Sequence, residues 1–307
     1  MCLSHLVDPY KAYQHELVAA GLLIPLGVRG VYGCSGTFEH IIERFESYVT
    51  RMGAHFNPEV IRFPPVFARA SYEQTGHIHN FPDLLGSIHG FLDGDREHRE
   101  MVEKLERKDD WSAGLRSADV MMVPAACYPL YPTVTGTLPP GGRRVDLKTY
   151  AFRREPSDDP ARMQSFRMRE YVRLGTPQEA LEHRDYWLEH AQKILEAVGL
   201  EAKPVVANDP FFGRGARVMK ATQREQTLKY ELVVSICSDE KPTAVASCNY
   251  HVDHFGVAFD IRTAEGKTAH SACVGFGLER VCLALLKTHG FNPDLWPREV
   301  RQILALR

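Results

Sequence analysis

Phe152-Arg153-Arg154-Glu155, six intervening residues, then Arg162-Met163-Gln164-Ser165-Phe166 is the stretch on which the reading of this chain turns. If Ala151 to Glu155 is a strand, Arg153 and Glu155 share a face, because side chains alternate across a pleated backbone. The run after it also alternates. Phe166, Met168, Glu170, Val172 and Leu174 fall on one face, and Arg167, Arg169, Tyr171 and Arg173 on the other. A hairpin joining the two strands brings together an arginine, a carboxylate and an aromatic plate. The planar donor fork of arginine suits a phosphate oxygen, a carboxylate accepts from an exocyclic amine, and a phenyl ring stacks on a purine. The same spacing also fits a surface hairpin with solvated charges.

A second constellation follows further along, Cys273-Val274-Gly275-Phe276-Gly277-Leu278-Glu279-Arg280. Its small alternating residues let the backbone pass close to a ligand. Arg280 then falls in the first turn of a helix, where the backbone dipole favours an anion. A GxGxxR string taken alone equally describes a helix start with a solvated arginine.

Outward from these two stretches, three segments read as helices. In Phe38 to Met52, residues Phe38, Ile41, Ile42, Phe45 and Val49 recur at helical spacing, with Thr37 as the cap and Gly53 as the stop. Pro177 to Val198 opens with a capping box of Thr176 and Glu179, ends at Gly199, and carries Leu181, Leu188, Ala191, Leu195 and Val198 as its buried stripe. Leu278 to His289 places Leu278, Val281, Cys282, Leu285 and Leu286 inward, before Gly290. Leu228 to Ile236, Thr243 to Tyr250 and Phe255 to Ile261 are β-rich and follow one another without helices between, which favours antiparallel pairing. The expected architecture is α+β, a mainly antiparallel sheet flanked by helices. It forms one domain over residues 1–307, with an N-terminal extension over 1–30 and a helical insert over about 209–227.

Composition narrows the function. With 44% hydrophobic and 25% charged residues the chain is neither disordered nor fibrous. A formal charge of -2 lacks the basic excess of a dedicated nucleic-acid binder. The seven cysteines are scattered with no CxxC pair, so they form neither a disulfide framework nor a zinc ribbon and point to a reduced, cytoplasmic setting. No apolar run approaches the ~20 residues that span a bilayer. The pairs His77/His79 and His251/His254 read as ordinary hydrogen-bonded or exposed histidines, and Ser35 lacks the setting of a nucleophile elbow.

Taken together and in this order, the two constellations resemble motifs 2 and 3 of class II aminoacyl-tRNA synthetases, and Phe38 to Met52 followed by Val60 to Pro65 resembles motif 1, which lies at the dimer interface of that class. The run Ala246-Ser247-Cys248-Asn249-Tyr250-His251-Val252-Asp253-His254-Phe255 is similar to the corresponding strand of seryl enzymes, and Asp209-Pro210-Phe211-Phe212 to their methanogen type. That type holds an active-site zinc with two cysteines and a glutamate, and the matching positions are Cys127, Glu170 and Cys273. Two thiolates and a carboxylate leave one position open on tetrahedral zinc, which an amino acid's α-amine fills. Taken singly, each cysteine also fits a small buried apolar residue.

The synthetase pattern is incomplete here. No sustained heptads precede the core, no anticodon-binding domain is expected after Arg280, and the motif 2 loop, Pro156-Ser157-Asp158-Asp159-Pro160-Ala161, is short and acidic. A shortened seryl-like core with Cys/Glu/Cys ligands resembles the bacterial amino acid:[carrier protein] ligases. The resemblance implies AMP-forming activation of a small amino acid, glycine or alanine, and transfer to the phosphopantetheine thiol of a carrier protein, by a homodimer with Zn2+, ATP and Mg2+ and without tRNA. It implies that Arg153 holds the α-phosphate and Arg280 the γ-phosphate. Glu155 and Phe166 then bind adenine, Arg162 and Gly277 complete the ATP site, and Cys127, Glu170 and Cys273 hold zinc. No acid lies in Pro242 to Ser247, so no Mg2+ ligand is assigned. Arg214, Arg217, Lys220 and Arg224, spaced three, three and four apart, form a cationic helix stripe suited to an acidic carrier, or equally a solvated face or a phosphate contact. Action on tRNA or on a small-molecule amine, and a non-catalytic binding role, are the alternative readings.

Overall fold

The structure, a computed structural model, describes residues 8–306 apart from 211 and 213–215, with the side chains of 216, 222, 224 and 225 also outside the description. Arg214 and the side chain of Arg224, half of the expected cationic stripe, therefore lie outside the described residues. A seven-stranded sheet runs through the molecule in the order Lys203–Val206, Lys229–Val234, Thr243–Val252, His270–Gly277, Ser165–Gly175, Arg143–Phe152, Glu59–Arg62. Every neighbouring pair is antiparallel except the last, where Glu59–Arg62 runs parallel to Arg143–Phe152.

Helices cover one face of this sheet. Helix Gly36–Gly53 packs through Phe38, Ile41, Ile42, Phe45 and Val49, with the Phe45 ring 5.9 Å from that of Phe276 on the central strand. Its cap is Ser35, whose Oγ accepts from the Phe38 amide at 3.2 Å, and not Thr37. Ser35 is the residue with extended backbone, and a cap must lie outside the helical turn it closes. At the other end Gly53 is required, because a Cβ there would come within 2.5 Å of the Tyr171 ring. Helix Pro177–Ala197 has the capping box of Thr176 and Glu179. Of its expected stripe Ala191, Leu195 and Val198 are buried, and the first half is turned. Leu181 and Leu188 are only half-buried, while His183, Trp187 and Ile194 are buried and the Trp187 ring stacks on Tyr171 at 4.7 Å. A tryptophan removes more apolar area from water than a leucine, so it sets the helix rotation. Helix Leu278–His289 keeps the expected bounds, and Tyr13 of helix Pro9–Ala19 donates to its Leu283 carbonyl at 2.7 Å.

The opposite face has a different cover. Val172, Leu174 and Cys273 pack against Leu130, Tyr131, Phe255 and Phe259, which come from loops and short helices. Here one expectation fails. Phe255 to Ile261 is not a strand but helix His254–Ala258 and then the two-residue strand Ile261–Arg262. Phe255 and Phe259 are four apart, so a helical turn aims both rings at one place, and both stack on Tyr131, with centroids at 3.7 and 6.5 Å. A further three-stranded sheet, in the order Val66–Ala68, Arg116–Met122, Ser87–Gly90, flanks this side together with the exposed helix Asp95–Glu106. No described helix is long and apolar enough to cross a membrane.

The central hairpin is not a solvated one. Arg169 is 1% exposed and forks onto Asp146, at 2.5 and 3.1 Å, with Thr50 Oγ1 at 2.7 Å. Arg167 is held between Glu39 and Glu279. The charged face of the strand thus bonds to helices through paired, hydrogen-bonded ions, the form in which a charge survives burial.

Buried histidines give this fold a pH dependence. His183 bonds through Nε2 to the Tyr171 carbonyl at 3.0 Å, and burial lowers its pKa to about 4. A histidine in the unfolded chain titrates near ~6.5. The native value is the lower one, so the unfolded chain binds more protons. Stability from this group is complete above about pH 6.5 and falls as pH drops towards 4, by at most ~1.4 kcal/mol per pH unit. Denaturant unfolding at stepped pH should give a shallower slope for His183→Gln than for the natural protein in that window. Equal slopes would remove His183 as a source of the acid sensitivity.

Candidate active site

Strand Ser165–Gly175 and the central strand His270–Gly277 carry the heart of the site. Their register sets Glu170 opposite Gly275 and Val172 opposite Cys273, and the next strand sets Ser247 opposite Gly275 and Asn249 opposite Cys273. Because side chains alternate, Glu170, Cys273, Ser247 and Asn249 stand on one face. The segment after Val123 folds over them and delivers Cys127, fixed by the Ala126 amide donating to Glu170 Oε1 at 2.9 Å.

Cys127, Glu170 and Cys273 offer ligand atoms that all lie within 4.8 Å of one another, and all three are buried. Glu170 Oε2 has no hydrogen-bond partner among the described residues. Burial, and after it the charge on Cys273, pushes the Glu170 carboxyl up to about 8. The two thiols share a hydrogen bond that raises Cys127, with burial adding to the rise, and that lowers Cys273 against the opposing effect of its burial. Three groups that resist joint ionisation in the dry interior become compatible once a divalent cation lies among them. The donor set and the orphaned oxygen therefore fit a thiophilic ion such as zinc.

The second half of the site surrounds Phe166. The Arg153 guanidinium lies 5.6 Å from its ring centroid and that of Arg280 lies 6.0 Å away. Arg153 is held by Pro124, whose carbonyl accepts from Nε at 3.1 Å. Arg280 stands in the first turn of helix Leu278–His289, donates to the Ala161 and Ala244 carbonyls at 2.8 and 3.0 Å, and follows Gly277, the N-cap. Burial, then the charges of Arg153 and Arg162, lower the Arg280 pKa. Like charges crowded this way favour a polyanion between them. One expectation needs correction. The strand ends at Phe152, so Arg153 and Glu155 do not share a strand face; Glu155 turns back with its amide on the Arg153 carbonyl at 2.7 Å and lies 3.9 Å from Arg162. The two aspartates of the loop are engaged. Asp158 pairs with Arg29 at 2.9 Å and Lys11 at 3.4 Å, and Asp159 accepts from the Ala161 amide at 2.9 Å.

A cavity of about 460 Å3 joins Arg153 to the Cys/Glu/Cys cluster and is lined also by His77, Tyr128 and Met219. Sequence reading passed over several of its walls. His251, an ordinary histidine by its sequence setting, lies 3.5 Å from Cys273 Sγ. His77 is buried against Tyr128, and its Nε2 has no hydrogen-bond partner among the described residues. The signal for His251 was its period-two spacing from Ser247 and Asn249, which becomes informative once that strand is paired with Cys273. Helix Ala216–Glu225 supplies the outer wall through Met219 and Gln223, with Arg217 exposed. Asp209 ties it down: Oδ1 accepts from Lys229 at 2.6 Å and Oδ2 from Gln223 at 2.7 Å.

The architecture is that of the class II aminoacyl-tRNA synthetase catalytic core. Superposed on the seryl-tRNA synthetase of M. kandleri, crystallised with A. aeolicus tRNASec, the chain gives a TM-score of 0.81 at 22% identity, covering 95% of this chain and 60% of that one. In sequence, the type-2 serine–tRNA ligase of Methanopyrus kandleri is 29% identical over 201 residues, 61% of this chain and 38% of that enzyme. A much stronger match is amino acid–[acyl-carrier-protein] ligase 1 of Bradyrhizobium diazoefficiens, 42% identical over 301 residues, 97% of this chain and 92% of that protein. No protein-family model matches the chain. The chain belongs to the amino acid–[acyl-carrier-protein] ligase family.

The Asp209 clamp generates its own expectation. Asp209→Ala leaves the Lys229 ammonium without its closest carboxylate and frees Gln223. Amide hydrogen exchange over residues 216–225 should then accelerate about tenfold or more, as loss of ~1.4 kcal/mol of local stability requires, while exchange in helix Pro177–Ala197 stays as it was. Unchanged protection of 216–225 would show that apolar contacts alone hold the helix.

Proposed function

We propose that this chain activates a small amino acid with ATP, forming the aminoacyl-adenylate and pyrophosphate, and passes the aminoacyl group to the phosphopantetheine thiol of a carrier protein with release of AMP. The observation that carries this reading is one cavity holding Arg153 beside the buried Cys127, Glu170 and Cys273, with the Phe166 and Arg280 pair at its side. Adenine lies on Phe166 near Glu155, and ATP enters as its Mg2+ complex. Arg153 takes the α-phosphate and Arg280 the γ-phosphate, with Arg162 and Gly277 completing the triphosphate site. The amino acid carboxylate attacks the α-phosphorus in line, and the guanidinium groups offset the charge that grows on the phosphate oxygens. Little covalent work falls to the protein. In the second step the thiolate attacks the adenylate carbonyl and the C–O bond to AMP breaks.

Cys127, Glu170 and Cys273 are the residues that would hold zinc, and the ion would supply a Lewis-acidic position for the α-amine. An amine contact reads no side chain, so selection falls to the walls, and glycine or alanine is the proposed substrate. The acceptor in this reading is a carrier thiol rather than tRNA, following the family to which the chain belongs. A homodimer formed across the edge strand Glu59–Arg62, whose Val60 is 63% exposed, belongs to the same proposal. The acidic carrier docks on helix Ala216–Glu225, with Arg217 and Lys220 as the described members of the stripe.

Two measurements test this. Purified protein should contain about one zinc per chain and catalyse amino-acid-dependent exchange of pyrophosphate into ATP. Arg153→Ala and Arg280→Ala should each lose on the order of 100-fold, as removal of a charge-stabilising donor does, and Cys273→Ala should lose both metal and exchange. A metal-free protein with full exchange would end the zinc assignment, and normal exchange in both arginine variants would end the ATP-site assignment. For docking, reversal of Arg217 and Lys220 to glutamate should raise KM for the carrier protein in a salt-dependent manner and leave exchange unaltered. An equal fall in exchange would place those cations in the ATP site or in folding instead.

A further inference from the structure

The cavity treats its two cysteines differently. Among the described residues the Cys273 sulfur has two polar neighbours outside the ligand trio, Asn249 Nδ2 and His251 Nε2, each at 3.5 Å. Asn249 sits directly across the strand pair from Cys273, and its amide nitrogen also reaches Ser247 Oγ at 3.2 Å. An amide nitrogen can only donate. His251 lies where the register shifts between Tyr250 and Val252, and such irregularities re-aim side chains. Its other ring nitrogen, Nδ1, is 3.0 Å from Ser271 Oγ and 3.4 Å from the Tyr131 hydroxyl. Both of those side chains are buried, and a hydroxyl hydrogen turns to the acceptor it faces. With Nδ1 accepting, the ring proton sits on Nε2, pointed at the sulfur.

We infer that Asn249 and His251 are positioning residues for the metal centre, donating N–H···S hydrogen bonds that hold Cys273 as an oriented thiolate. This rests on the reading of Cys127, Glu170 and Cys273 as metal ligands. The physical need is plain: two thiolates and a carboxylate in a buried cluster carry more negative charge than one divalent ion offsets. Hydrogen bonds to one sulfur spread that surplus without closing a coordination position. The Tyr131 and Ser271 hydroxyls then act one step further out, by fixing which imidazole nitrogen carries the proton.

The test uses the full chain loaded with Co2+, whose thiolate-to-cobalt charge-transfer absorption reports the sulfur donors. In His251→Ala the absorption should move to lower energy, because a thiolate stripped of a donor gives up its electron more easily. Affinity for Co2+, measured against a competing chelator, should fall about 10- to 100-fold, the range for loss of such outer partners. His251→Gln, which keeps an N–H at similar reach, should recover most of both. Asn249→Ala gives an independent second reading in the same direction if His251→Ala does not fold. Spectra and affinities of His251→Ala and Asn249→Ala that superpose on those of the natural protein would overturn the inference while leaving the metal site standing. A natural protein that takes up no Co2+ or Zn2+ would overturn the metal reading itself, and the inference with it.

Discussion

Arg167 ties the molecule together. Its backbone amide and Nε both donate to Glu279 at 2.7 Å, and its two terminal nitrogens both reach Glu39, so one guanidinium joins helix Gly36–Gly53, strand Ser165–Gly175 and helix Leu278–His289. Glu279 is 4% exposed, and taking one partner from a buried pair strands the other at a cost of ~3–5 kcal/mol. The same contact fixes the candidate ATP groups. Phe166 precedes Arg167 on the strand and Arg280 follows Glu279 on the helix, so the 6.0 Å between ring and guanidinium is set by the ion pair one residue away. An exposed pair would hold nothing so firmly; this one gains its rigidity from bidentate geometry and exclusion of water.

The two faces of the sheet divide the work. The helical face buries Trp187, Phe45 and Phe276 and supplies the bulk of the apolar core. The other face is covered by loops and short helices, and there Cys127, Glu170 and Cys273 collect. This division suits a site that must admit a ligand: loops can open at the edge of a rigid sheet, while the strands keep Glu170 and Cys273 in register.

How much of this could be read from the sequence depends on distance along the chain. The capping box at Thr176 and Glu179 and the bounds of Leu278–His289 were legible because their causes lie within a few residues. The cap of the first long helix was misplaced by two positions, since Ser35 and Thr37 are equally able chemically and only backbone conformation chooses between them. Phe255 to Ile261 was misread because Phe255 and Phe259 satisfy a period of two and a spacing of four at once, and Tyr131, remote in sequence, decides the matter. Cys127, Glu170 and Cys273 carry no local signal at all; a resemblance links them, and in the fold strand register sets Glu170 beside Cys273 while the segment after Val123 brings Cys127 to them. The flanking sheet of Val66–Ala68, Arg116–Met122 and Ser87–Gly90 is not legible because its two outer strands are short and the longer middle one is mostly exposed or half-buried.

The order of strands also bears on how the chain comes to be made. The central strand, His270–Gly277, sits between Ser165–Gly175 and Thr243–Val252, yet it follows both in the chain. During synthesis at about 5–20 residues per second, the ribosome releases Ser165–Gly175 long before the strand that separates the two, and Thr243–Val252 shortly before it. Until it emerges, each has an open edge of unpaired amides and carbonyls, and Arg167 has Glu39 but not Glu279. The sheet cannot close from one end; it must wait for its middle. A nascent chain in that interval is open to mispairing with its neighbours, and the arrival of the last strand closes it.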